Sequence, residues 1–404
     1  MSILARIRQI NRRRALGWAA FSYAVAVLSG AFLGAEITLR SKTRRVKGEF
    51  VPVGRRGNSV YLPASSETLS RGVVGIVPLL PNQGHALLGP PRLVGTLVRR
   101  EILEERGVLP NGALAWVSTF VYNGTPQQVG ISYDSTLIRT EVGQMPAWHI
   151  PAVSGEKDAI AIVIHGHGGQ RPQALRMLPA LRRSGVAALF VTFRNAHGAP
   201  RVGKGYLSLG DQEAEDVIAA LHWARDAGYR RAVLYGFSMG GNIALSALRP
   251  RHQPYPIPVA GVALDCPALD WRDTIRSNGQ RYGIPGFMAR HIGNFVQYLV
   301  TRRSGQDFDV VDQLAAASSF NLPIVLWHGT RDATIPIRQS DALAAARPDL
   351  VEYHRVEGAK HIRCWNIDPE KYDAQLEAFV RRVLPGLPSP SLNSPLSLQG
   401  DSNA

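Results

Sequence analysis

The chain has 404 residues, 45 % of them hydrophobic and 19 % charged, which supplies a sizeable core and excludes wholesale disorder. Its 46 Lys plus Arg against 31 Asp plus Glu give +15, but residues 1–56 alone hold twelve basic and two acidic side chains, a net +10 gathered around an apolar segment; a nucleic-acid enzyme would instead spread its basic surface over the folded domain. Two cysteines exclude a disulfide-dense scaffold and a four-cysteine zinc site.

Residues 1–14 carry five arginines and no acid, and Ala15 to Ala35 carries no charge at all. That is about the length a helix needs to cross the hydrocarbon core. Trp18 and Tyr23 suit a membrane interface. The expectation is a basic segment at 1–14 followed by a transmembrane anchor at 15–36. Ser29-Gly30-Ala31 keeps a cleaved signal sequence open, which would make the mature protein a secreted one. Arg40, Lys42, Arg44, Arg45 and Lys47 nearly balance the leading arginines, so orientation is weakly specified. A short basic N-terminus usually stays in the cytoplasm, which predicts a single-pass cell-membrane protein with its main domain outside.

Residues 48–125 alternate short β-prone runs, Ser59-Val60-Tyr61-Leu62 and Val73 to Val77 among them, with Gly and Pro punctuation, and read as a β-rich region. From 126 to 386 the pattern changes. Strands are predicted at Ala159 to Ile164, Ala187 to Thr192, Arg231 to Tyr235, Val259 to Leu264, Pro323 to Trp327 and Val351 to Val356. Helices are predicted between them at Pro172 to Arg183, Asp211 to Ala227 and Ser340 to Ala346, with a last one from Pro369 to about Val383. Apolar strands alternating with amphipathic helices predict βαβ units and a parallel sheet covered on both faces. Residues 387–404 are Ser- and Pro-rich and read as a disordered tail.

Gly236-Phe237-Ser238-Met239-Gly240-Gly241 follows a β-branched strand and opens an Ala/Leu-rich helix. In a G-x-S-x-G turn the residues two before and two after the serine nearly touch, so both must be small. The helix that follows aims its N-terminal amides at the site, where an oxyanion would be favoured. His165-Gly166-His167-Gly168-Gly169 ends the first apolar strand and lets backbone approach a substrate carbonyl. Oxyanion donors are expected near His167 and at Met239. A metal reading of the two histidines is disfavoured by the lack of a neighbouring carboxylate or cysteine, and no metal or cofactor is expected.

The strand Pro323 to Trp327 leads to His328-Gly329-Thr330-Arg331-Asp332, and the strand Val351 to Val356 to Gly358-Ala359-Lys360-His361. Both acid and base thus fall just past the C-terminal ends of strands, where open α/β sheets carry their ligands. The order Ser238, Asp332, His361 suits a nucleophile, an orienting acid and a general base. Asp265 and Asp270 stand as alternative acids, and His328 and His354 as weaker bases.

The elbow, the HGHGG turn, the HGTRDATIP segment and the GAKH segment, in this order, resemble the α/β-hydrolase superfamily in its esterase and prolyl-oligopeptidase-like branch. The resemblance covers about residues 130–385. It implies an α/β fold with a mostly parallel eight-stranded sheet, helices on both faces and Ser238, Asp332 and His361 in the roles above. Substrate is not implied, because the superfamily includes esterases, lipases, peptidases, thioesterases and acyltransferases.

Between residues 271 and 320, Phe287, Met288, Ile292, Phe295, Val296 and Leu299 recur at helical spacing, which fits either a cap over the pocket or a helix packed on the sheet. The acidic run Asp211 to Asp216 is read as a capped helix start rather than a metal site. Cys266 and Cys364 both fall at the catalytic edge, where a bridge between them is open in an exported domain. Together these readings predict a membrane-anchored serine hydrolase acting on a small-molecule or lipid ester through an acyl-enzyme, with no nucleic-acid partner. A serine peptidase, an acyltransferase and a non-enzymatic binding module are the alternatives.

Overall fold

The computed structural model describes residues 3–41, 48–79, 84–281 and 284–387. Most of the tail and the basic residues at 42, 44, 45 and 47 lie outside the described residues. Helix α1 (Ile3–Leu39) begins the chain, and its stretch from Ala15 to Leu39 is, among the described residues, the helix long and apolar enough to cross a membrane. Its last carbonyls are taken up by the rest of the protein: Leu39 accepts from the Leu207 amide at 2.7 Å, and Thr38 lies 3.1 Å from His167 Nε2.

Eight short strands follow: β1 (Glu49–Pro52), β2 (Gly54–Arg56), β3 (Ser59–Pro63), β4 (Val74–Pro78), β5 (His85–Leu88), β6 (Arg92–Val94), β7 (Leu97–Arg106) and β8 (Leu114–Ser118). They form one sheet in the order β1-β8-β4-β5-β7-β3-β2, with β6 on β7. Every pairing is antiparallel. This region, expected as β-rich, is an antiparallel sheet and not the mostly parallel eight-stranded one. Short connections can join only antiparallel neighbours, because a parallel pair needs a crossover of a dozen residues or more. Arg100 is buried beneath this sheet, its guanidinium donating to the carbonyls of Thr68, Ser70, Gly72 and Gly89. Burial lowers its pKa to about 10.

The second sheet has the order β16-β15-β14-β13-β11-β12-β10-β9. Strands β11 (Ala159–Ile164), β12 (Ala187–Val191), β13 (Arg231–Phe237), β14 (Val259–Asp265), β15 (Ile324–Gly329) and β16 (Val351–Val356) are mutually parallel. The hairpin β9 (Asp134–Thr140) and β10 (Gly143–Ile150) joins them antiparallel at one edge. Both faces are covered by apolar cores. One gathers α3 (Asp211–Asp226) and α4 (Met239–Ala247); the other gathers α2 (Leu178–Arg183) and α9 (Pro369–Val383). β11, β12 and β13 are buried along nearly their whole length, which is why they read in sequence as unbroken apolar runs. The acidic start of α3 is a cap: Glu213 accepts from the Ser208 and Gly210 amides and the Ser208 hydroxyl, while Asp216 holds the buried Arg194 at 2.8 Å.

Between β14 and β15 stand α5 (Trp271–Arg281) and α6 (Gly286–Ser304). Helix α6 packs on α5 and also on α1. A short helix α8 (Cys364–Ile367) ties the N-terminal sheet down: Asn366 donates to the Val73 and Thr119 carbonyls, and its own carbonyl accepts from Val73 at 2.7 Å. Helix α7 (Arg338–Ala346) completes the β15–β16 crossover.

Candidate active site

Ser238 sits between β13 and α4 with φ 52° and ψ −117°, a backbone setting that a non-glycine residue rarely holds without support. The support is main-chain: its amide donates to Asp265 at 3.0 Å, and its carbonyl accepts from Gly241 at 3.0 Å and Ala268 at 3.1 Å. The turn leaves no room around it. A Cβ on Gly236 would lie 2.4 Å from the Gly240 oxygen, and one on Gly240 would lie 2.3 Å from the Ile164 oxygen. Glycine at both positions is a steric requirement.

His361 lies in the loop after β16, with Nε2 3.0 Å from Ser238 Oγ and Nδ1 2.7 Å from Asp332 Oδ2. Asp332 has no exposed side-chain surface. Its Oδ1 accepts from the Thr334 amide at 2.7 Å and the Ile335 amide at 2.9 Å. Its Oδ2 is shared by His361 and by His328 Nε2 at 3.2 Å. Burial pushes this carboxyl upward, but the charge of His361 and the hydrogen bonds from His328 and His361 outweigh it and hold the group far below the usual carboxylate range. An ionised carboxylate only accepts, so His361 Nδ1 carries the proton and Nε2 is left to accept from the serine hydroxyl.

The alternative acids are elsewhere. Asp265 Oδ2 faces the Tyr372 hydroxyl at 3.3 Å, and Asp270 caps its own helix through the Asp273 amide at 3.0 Å. His328 is not a base but a partner of Asp332, fully buried and also 2.6 Å from the Ser340 hydroxyl. Its place four residues before Asp332 was the signal for it. His354 is 2.9 Å from Glu352 on the outer strand. Met239 opens α4 directly after Ser238. The ring of His167 meets Thr38, and nothing in the sequence linked that histidine to the end of α1. His165 is buried against Phe193, which lowers its pKa to about 4.

Cys266 and Cys364 are free thiols with their Sγ atoms 3.8 Å apart, both buried. Cys266 Sγ also accepts from the Ile362 amide at 3.2 Å, next to His361. Burial raises both thiols, that of Cys364 to about 11. Among the described residues, Asp265, Cys266 and Cys364 form one group of potential metal ligands and Cys266, Asp332 and His361 another. The second group consists largely of atoms already bonded to one another.

A six-stranded parallel core with an elbow after its central strand, and a hydrogen-bonded chain of side chains along its C-terminal edge, defines the class: an α/β hydrolase. Residues 161–375, just over half of the chain, match the Alpha/beta hydrolase family, and the chain belongs to it. Among solved structures it is similar to the esterase Pf2001 of Pyrococcus furiosus, with a TM-score of 0.51 at 22 % identity over 65 % of this chain and 95 % of that one. It is also similar to a puromycin-hydrolyzing peptidase of Mycobacterium tuberculosis, with a TM-score of 0.50 at 19 % identity over 82 % of this chain and 47 % of that one. These likenesses speak for the fold. No curated protein sequence matches the chain.

Proposed function

We propose that this hydrolase is a membrane-anchored serine esterase. The observation that carries it is the continuous path Asp332–His361–Ser238, with steps of 2.7 and 3.0 Å. As Ser238 Oγ bonds to the ester carbonyl carbon, its proton passes to His361 Nε2. The carbonyl oxygen becomes an oxyanion beside the Met239 and His167 amides, and the departing alcohol takes the proton from His361. Water then attacks the acyl-enzyme with His361 again as base, releasing the acid and restoring Ser238. Covalent labelling by a fluorophosphonate, mapped to Ser238, tests the reading. A folded protein that reacts with the probe elsewhere, or nowhere, contradicts it. Turnover of aminoacyl amides in preference to aryl esters would make it a peptidase with the same machinery.

An attached anchor is supported by α1's capped end and by its buried Val27, Ala31, Ala35 and Leu39. Cleavage near Phe32 would strip two of these four, Val27 and Ala31, and leave Ala35 and Leu39 on a shortened helix. Val25 and Leu28 face outward, so arginine at both should spare the fold while costing roughly 2.5–3.5 kcal/mol each near the bilayer centre. The double variant is expected in the soluble fraction with its fluorophosphonate reaction intact. Retention in the membrane fraction would count against the anchor, and a mature N-terminus near Phe32 would replace it with a cleaved signal. Protection of the main domain from protease on intact cells would put that domain on the cytoplasmic side.

The cysteines are proposed to be bridged in an exported protein. Their 3.8 Å separation leaves a small movement before a bond can form. Non-reducing peptide mapping is expected to recover Cys266 crosslinked to Cys364; two freely alkylated thiols in material from the native compartment would end the idea.

A further inference from the structure

The helix that carries the anchor docks on α6 and ends against His167 beside the site, and this says where substrate comes from. Tyr23 stacks on Phe287, and its hydroxyl lies 3.0 Å from His291 Nδ1. A Cβ on Gly30 would touch Ile292 at 3.1 Å, and one on Gly34 would meet Val296 at 2.7 Å. Glu36 pairs with Arg303 at 2.7 Å. These contacts advance together along both helices, so α1 and α6 run side by side in the same direction. The shared length, Tyr23 to Glu36, is about 20 Å at 1.5 Å per residue. Any bilayer that takes up α1 therefore meets α6 as well.

Helix α6 is made for that meeting. At 100° per residue, Phe287, Tyr298, Arg302 and Phe295 span the exposed arc that turns toward α1, with Asn294 beside Phe287 and Thr301, Arg290 and Gln297 progressively farther round. The three aromatic residues, Phe287, Phe295 and Tyr298, are 63 %, 41 % and 57 % exposed, and Phe21, Val25, Leu28, Phe32 and Leu33 are likewise exposed on the neighbouring α1. Arg302 and Arg303 end α6 where Arg40 ends α1, a cationic rim suited to anionic headgroups. This surface lies beside the catalytic edge. Thr38 of α1 touches His167. Asn278 of α5, on which α6 packs, donates to the carbonyl of Thr334, two residues past Asp332.

We propose that the aromatic flank of α6 enters the bilayer alongside α1, and that the site is thereby opened to esters of long acyl chains resident in the membrane. The idea rests on the esterase reading and narrows its substrate class. Short soluble esters reach Ser238 from water; an ester held in the bilayer is presented at the edge of the site by this two-helix surface.

The full-length protein is reconstituted in vesicles of phosphatidylcholine and phosphatidylglycerol containing a phosphatidylcholine with a diazirine in its acyl chain. On illumination, lipid is expected to attach to peptides from both α1 and Phe287 to Tyr298. Attachment confined to α1 overturns the proposal. Separately, turnover of umbelliferyl palmitate held in the vesicles is compared with that of nitrophenyl acetate in solution. In F287S/F295S/Y298S the ratio of palmitate to acetate turnover is expected to fall about tenfold or more. An unchanged ratio overturns the proposal. If neither ester is turned over, or Ser238→Ala retains the turnover, the esterase reading is what fails. The crosslinking result still decides whether α6 meets the lipid.

Discussion

Replacing Ser238 by alanine is expected to abolish fluorophosphonate labelling and to lower ester turnover by roughly five to six orders of magnitude. The size of the effect follows from the chemistry. With the hydroxyl gone, His361 Nε2 has no nucleophile at 3.0 Å, and what remains is water assisted by the oxyanion donors. Such residual sites retain about 10³–10⁴-fold over the uncatalysed rate. The variant should fold, because the contacts that hold the elbow are made by the Ser238 amide and carbonyl with Asp265, Gly241 and Ala268. Alanine keeps all of them. Circular dichroism and the urea midpoint should match the parent, which separates lost chemistry from lost structure. Labelling of a folded Ser238→Ala protein would place the nucleophile elsewhere.

Much of this site could be read from the residues because its chemistry constrains them locally. Gly236 is required by a 2.4 Å contact within the turn and Gly240 by a 2.3 Å contact with Ile164 on the neighbouring strand, and such a turn leaves its mark in five consecutive letters. Asp332 follows β15, which is buried throughout and reads as an apolar run, while His361 follows the half-exposed edge strand β16, which was legible from its β-prone residues rather than from burial. Ser238, Asp332 and His361, far apart in the chain, are then brought together by the parallel order β13-β14-β15-β16. What sequence did not disclose is long-range and low in information. Thr38 contributes only a carbonyl to His167, an interaction that any residue could make. The docking of α1 on α6 rests on Gly30 and Gly34, which in sequence merely lower the hydrophobicity of an anchor. The N-terminal sheet was legible as strands and turns, but its order depends on side chains such as the buried Arg100, whose partners are backbone carbonyls with no residue signature. The β9–β10 hairpin was missed as the sheet's antiparallel edge because its mixed, half-exposed pattern lacks the apolar run of the strands it joins.

Asp332→Asn should lower turnover by about 10⁴-fold, the loss seen when the acid of a serine-protease triad is amidated. The reason lies in the four donors around this carboxyl: the Thr334 and Ile335 amides on Oδ1, and the His361 and His328 rings on Oδ2. An asparagine must turn either its oxygen or its NH₂ to each pair. With the oxygen kept on the two backbone amides, the NH₂ faces His361 and makes Nδ1 an acceptor. The ring proton then moves to Nε2, pointing at Ser238 Oγ, and the base is lost. Stability should change with a definite sign in pH. The folded pKa of Asp332 is depressed, so its ionised form contributes stability above the unfolded carboxylate value of about 4, and that contribution is lost as pH falls toward the folded value. Urea midpoints of wild type and Asp332→Asn should therefore differ most near neutral pH and converge on acidification below about pH 4. A gap that stays constant with pH would mean that the carboxylate charge does not stabilise the fold. Near-normal turnover would remove Asp332 from its role and return the assignment of the acid to Asp265 or Asp270, despite the Tyr372 and Asp273 contacts that now occupy them.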